Sequence, residues 1–179
     1  MSAHALVLTV IAGSVFAAGW TARSVGQEPD APLAAEPALE RLKALAGDWT
    51  LPDEDGDGAP DGTVRYATTA GGSVVVETLF PGEEYEMISM YHRDGERLVM
   101  THYCMAGNQP RMRQVSADAP EQVKFEFMDG TNMKSRDEMH MDSLTITFID
   151  ADHICSVWTS YADGKTLGTK EFNLTRVKR

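Results

Sequence analysis

Cysteine is scarce in this chain. Its two, Cys104 and Cys155, stand far apart and form no CxxC pair, which excludes a zinc knuckle. They fit either one disulfide or two small buried thiols. Positive charge is also short: 16 Lys and Arg against 27 Asp and Glu leave a formal net charge of −11. An acidic surface repels nucleic-acid phosphates and anionic lipid head groups, so neither is an expected partner. No nucleophile elbow, phosphate loop, HExxH or dinucleotide fingerprint occurs. Nor does a helix-length apolar pattern fall between the strand-like segments, which argues against a βαβ fold.

One apolar run is present, from Ala5 to Trp20 (ALVLTVIAGSVFAAGW). It is short for a spanning helix and suits the core of a signal peptide. Val15 and Ala17 offer a small-residue cleavage pattern, while His4 is the only candidate charge ahead of the run, which fits an uncleaved anchor. Residues 1–23 are therefore expected to be a signal peptide or membrane anchor, and the location periplasmic or secreted. Residues 24–37 (SVGQEPDAPLAAEP) read as an exposed linker. Residues 38–179 are then one domain, large enough to bury a core without staples.

That domain opens on a short amphipathic helix, Pro37 to Ala46. Leu39, Leu42 and Leu45 form its stripe, and Gly47 is its stop. From Thr63 the texture turns to strands: Thr63–Thr69, Ser73–Phe80, Glu84–Arg93, Arg97–Met105, Pro110–Ala117, Glu121–Met128, Ser143–Asp150, Ile154–Tyr161 and Thr166–Val177. Turn signals separate them, among them Ala70-Gly71-Gly72, Pro81-Gly82, Asp94-Gly95, Gly107-Asn108, Asp129-Gly130 and Asp163-Gly164. Short connections imply antiparallel neighbours. The expected fold is all-β: an antiparallel up-and-down barrel of about 8–10 strands after one short helix. The long stretch 129–142 is expected to cover one end.

Gly47-Asp48-Trp49, directly after the helix, resembles the GxW signature of the lipocalin (calycin-like) barrels. Phe172-x-Leu174-x-Arg176 resembles their closing strand. The resemblance implies that Arg176 stacks on Trp49, where a guanidinium on an indole face seals the barrel floor. The THYCxxGNQPRM motif at Thr101 to Met112 resembles a family of uncharacterised bacterial exported proteins. So do Gly71-Gly72-Ser73, Glu77, Phe80-Pro81-Gly82, Glu86-Met87, Tyr91-His92, His140, Ser143 to Phe148, and Trp158 with Tyr161. That similarity runs from about Ala38 to the C-terminus, implies one domain with one shared pocket, and carries over no activity.

Four groups of residues could carry chemistry. In the first, His102, Asn108, Gln109 and Arg111 gather at a strand–turn–strand corner beside Tyr103. They either line the barrel mouth or tie the hairpin together. In the second, nine methionines between Met87 and Met141 interleave with His92, His102, Cys104 and His140. Met139-His140-Met141 is a compact set for a soft metal, and His102 or His140 could serve as a haem axial ligand. Methionine equally fills irregular barrel interiors. In the third, Asp53, Asp55, Asp57 and Asp61 follow the DxDxDGxxD spacing of a calcium loop. Val64 stands where that loop's last carboxylate belongs. In the fourth, Glu77 lies inside an apolar strand, either facing solvent or buried. If buried, its partner is His102 or His140 in acid–base work, or Arg65 or Arg111 in an ion pair.

The leading expectation is an exported small-molecule-binding protein. Its barrel holds an apolar or amphipathic ligand against His102, Tyr103, Asn108, Gln109, Arg111, His140 and Trp158. The alternatives are a small-barrel enzyme with Glu77 and His102 as acid–base pair, or a protein dependent on calcium, a soft metal or haem.

Overall fold

The computed structural model describes residues 35–178. The expected signal or anchor over 1–23 and most of the expected linker over 24–37 lie outside them; Ala35 to Pro37, expected as linker, instead form the first turn of the helix, which starts two residues before Pro37. The described residues form one α-helix, α1 (Ala35–Lys43), a single 3-10 turn over Ala70–Gly72, and ten strands. These are β1 (Gly47–Thr50), β2 (Thr63–Thr69), β3 (Val74–Leu79), β4 (Met87–Asp94), β5 (Arg97–Tyr103), β6 (Gln109–Val115), β7 (Gln122–Thr131), β8 (His140–Phe148), β9 (His153–Ala162) and β10 (Lys165–Arg176). Each strand pairs antiparallel with the next, and β10 returns to β1, so the sheet closes into an up-and-down barrel. Closure leaves no unpaired edge.

Turn chemistry sets the register. At β9–β10, Ala162 pairs with Lys165 across Asp163-Gly164, which have φ of 51° and 75°. Two left-handed residues in a two-residue loop make the turn whose twist matches the flanking strands. Asp129-Gly130, expected as a turn, lies inside β7, where Asp129 and Gly130 pair with Arg111 and Pro110. Arg111 holds the Asp129 carboxylate with two 2.5 Å bonds, and a bulge between Arg111 and Met112 absorbs the extra residue.

The two chain ends of the barrel meet as the GxW resemblance implies. The Arg176 guanidinium lies 4.3 Å from the Trp49 ring. It also donates to the Ala44 and Ala46 carbonyls at 2.9 and 3.0 Å, and Trp49 Nε1 donates to the Leu45 carbonyl at 2.8 Å. These carbonyls belong to the turn that follows α1, beside its C-terminus, where a positive charge also suits the helix dipole. Gly47 has φ +133°, and a Cβ there would sit 3.4 Å from Arg176 Nη1, so the glycine of the motif keeps the guanidinium's place.

Helix α1 packs on β2–β5 at one end of the barrel. Arg41 fixes it there, donating to the Pro120 and Glu121 carbonyls at 2.9 and 2.7 Å with its guanidinium 4.2 Å from the Phe148 ring. The β1–β2, β3–β4, β5–β6, β7–β8 and β9–β10 connections gather at the opposite end. There the 132–139 segment laps onto its neighbours. Asn132 donates to the Gly107 carbonyl, Asn108 to the Met139 carbonyl, and the Asp163 amide to the Asp137 carbonyl. No helix among the described residues is long and apolar enough to cross a membrane.

Candidate functional site

Strand alternation turns Trp49, Val64, Leu79, Met100, Met112, Phe125, Leu144 and Ile146 into the barrel, all fully buried or nearly so. Set among them is a band of polar side chains. Tyr66 pairs with Glu77, Glu77 with Ser89, and Ser89 with His102, across β2 to β5. Residues directly opposite on antiparallel strands point to one face, so these four form a row across the inner wall. None is more than 2% exposed.

The row is joined by hydrogen bonds. Tyr66 and Tyr91 each donate to one Glu77 oxygen, both at 2.7 Å. Ser89 Oγ lies 3.0 Å from His102 Nδ1. Burial raises the Glu77 carboxyl above its ordinary value, while hydrogen bonds from Tyr66, Tyr91 and Ser89 pull it back in part. Burial, then the charge of Glu77, pushes both phenols well above theirs. Burial also lowers His102 to about 4, so its imidazole is neutral at physiological pH.

Strand β9 faces this row across the lumen. The Trp158 ring stands 4.7 Å from His102, centroid to centroid, and Ser156 is close enough to bear on the Tyr66 hydroxyl. Neither Ser156 Oγ nor Trp158 Nε1 has a hydrogen-bond partner of normal geometry.

The expected corner cluster is split by strand parity. His102 points inward, whereas Tyr103 is 47% exposed. Arg111 lies outside on Asp129, and Gln109 is tied to Thr131 and the Gly107 carbonyl. Asn108 is buried at the mouth beneath Met139. His140 is buried elsewhere, between Phe127 and Tyr161. Its Nδ1 meets the Glu138 carbonyl at 2.6 Å and its Nε2 the Arg136 guanidinium, so both ring nitrogens are engaged. Arg136 spans the same two aromatic rings at 4.2 and 4.3 Å and pairs with Asp142. Met139, beside His140 in sequence, is 46% exposed, so Met139-His140-Met141 does not close round one point.

Glu77 has neither arginine considered as its partner. Parity turns Arg65 outward onto Asp48 at 2.6 Å and brings Tyr66 inward instead. Both cysteines are free. On the exposed 51–62 loop, Asp53, Asp55 and Asp61 offer oxygens within 4.8 Å of one another. Asp57 is turned to the Ala59 amide. Sequence reasoning missed Tyr66, Ser89, Tyr91 and Ser156. The available signal was parity: each lies an even number of residues from an apolar inward position on its own strand, as Tyr66 does from Val64.

No family model and no curated protein matches this chain.

Proposed function

We propose that this protein binds a small apolar or amphipathic molecule inside its barrel, against the row Tyr66–Glu77–Ser89–His102, and that it acts outside the cytoplasm. The observation that carries the reading is the row itself. A carboxyl, three hydroxyls counting Tyr91, and an imidazole are buried in a lumen otherwise lined by apolar side chains. Such groups cost more to bury than the hydrocarbon that would fill the same space. Placed on one wall of the interior, they give a guest a polar surface to be oriented against. Met100 and Met112, unbranched and fully buried, are the lumen side chains best able to shift for a guest. Support for export is the apolar run Ala5 to Trp20 and the Pro-rich, acidic stretch after it.

Native mass spectrometry of protein from its own host is expected to show a retained small molecule. An apolar fluorescent probe should bind and be displaced by the extracted material. Ligand-free protein that also leaves the probe unbound overturns the reading.

An enzymatic reading is favoured by one contact, Ser89 between Glu77 and His102. It predicts that a serine-directed phosphonate labels Ser89 and that the label is lost in Ser89→Ala. An unlabelled protein removes it.

A further inference from the structure

Two buried donors on β9 specify what the guest must carry. Trp158 and Ser156 are 2% and 1% exposed; Trp158 Nε1 makes no hydrogen bond, and Ser156 Oγ has only the Tyr66 hydroxyl near it, outside normal geometry. They are two residues apart on one strand and point into the same lumen. An indole N–H can only donate. Leaving such a donor dry and unpaired is costly, and native proteins rarely do so. No acceptor of the facing row reaches it: the Glu77 oxygens are bonded to Tyr66 and Tyr91, and His102 Nδ1 to Ser89. The missing acceptor must come from outside the chain.

The charge of that acceptor is also constrained. Among the described residues no lysine or arginine is buried. His102 is neutral, and Glu77 is the buried carboxyl of the lumen wall. A ligand carboxylate would lose its hydration and find no buried cation to replace it.

Resting on the binding role proposed above, we infer that the ligand is a neutral carbonyl compound on a hydrocarbon body. A ketone or ester oxygen would accept from Trp158 Nε1 and Ser156 Oγ, and free fatty acids would be rejected. The hydrocarbon packs on Met100, Met112, Phe125 and Leu144, and the oxygen sets its orientation.

Four chain-matched probes test this on the full chain: 2-undecanone, methyl decanoate, decanoate and undecane. Titration calorimetry should rank the ketone and ester at least about tenfold tighter than the other two, the value of one buried hydrogen bond. The Trp158 indole N–H resonance, assigned with Trp158→Phe, should move downfield with ketone and stay with undecane. Ser156→Ala should weaken the ketone and leave undecane unchanged. If Trp158→Phe does not fold, the wild-type indole shift and Ser156→Ala decide. Decanoate binding as tightly as the ketone overturns the inference. So do four equal affinities or an unmoved indole, and in those cases the container reading stands. Binding of none of the four overturns both, and leaves an internal water as the partner of Trp158.

Discussion

At the scale of single residues, Arg176 is the side chain that joins most of the molecule's parts. It stacks on Trp49, holds the Ala44 and Ala46 carbonyls at the end of α1, and donates to Ala151 in the β8–β9 turn at 3.0 Å. Arg176→Met keeps the apolar stem and deletes all of these. The expected loss is about 2–4 kcal/mol by urea unfolding, from several charge-assisted bonds and one cation–π contact. Arg176→Lys should recover less than half of it, because an ammonium lacks the planar fork that reaches carbonyls in different directions. Equal stability of the lysine variant and wild type would show that charge alone matters there.

Glu77 invites the opposite test. Glu77→Leu strands two buried phenols that now donate to it, and should cost about 3–5 kcal/mol. Adding Tyr66→Phe and Tyr91→Phe removes the stranded hydroxyls and should restore most of that. The triple variant should then be stable but deficient in ligand capture. A triple variant as unstable as the single one would mean that packing, not polar pairing, sets the cost.

At the scale of elements, the nine strands from Thr63 onward were legible because alternation and turn signals coincide along them, as at Asp163-Gly164. β1 was legible through Trp49. The inward row was not. Val74-Val75-Val76 is apolar on both faces, so parity cannot say which way Glu77 points until the register with β2 and β4 is known. The corner from Thr101 to Met112 misleads for a related reason. His102 and Arg111 are close in sequence, but the register pairs Arg111 with Thr101, the neighbour of His102, so alternation sends them to opposite sides of the wall. Residues far apart in sequence, Ser156 and Trp158, are what the fold brings to His102 and Tyr66.

Helix α1 makes an element-level prediction. Its apolar stripe, with Leu39 and Leu42, packs into the core, and Arg41 adds a tie to the far side, since the carbonyls of Pro120 and Glu121 lie in the β6–β7 turn rather than on α1's own neighbours. Arg41→Ala should loosen that end of the barrel and leave the sheet intact. In hydrogen exchange, the amides of Gln122 and Phe148, which close on Ala119 and Glu121, should exchange about tenfold faster. Amides in β9 and β10 should not change. Uniform acceleration everywhere would mean that the helix and barrel unfold as one unit.

At the scale of the whole molecule, buried titrating groups make stability depend on pH in a way that surface charge does not. His102 is lowered from 6.5 to about 4 by burial. As pH falls through that window the unfolded chain takes up a proton and the folded one does not. The stability His102 gives is therefore full above its ordinary value and is lost as pH drops toward about 4, a change of about 3 kcal/mol. Glu77 acts with the other sign. Its carboxyl is raised, so the folded state binds its proton first, and folding gains on approach to the ordinary carboxylate range. A formal charge of −11 adds self-repulsion that also eases as acid groups protonate. Two of these three effects thus favour folding in mild acid, and His102 opposes it from the ordinary histidine value downward. Urea unfolding of wild type from neutral pH to about pH 4 should show a net loss that begins near the ordinary histidine value. His102→Gln should remove the part of the loss that begins near the ordinary histidine value; the exposed Asp150 carboxyl, held low by the Asp152 amide and His153, gives its own loss only in the carboxylate range. A variant that loses as much stability as wild type over that range would place the acid sensitivity outside the barrel interior.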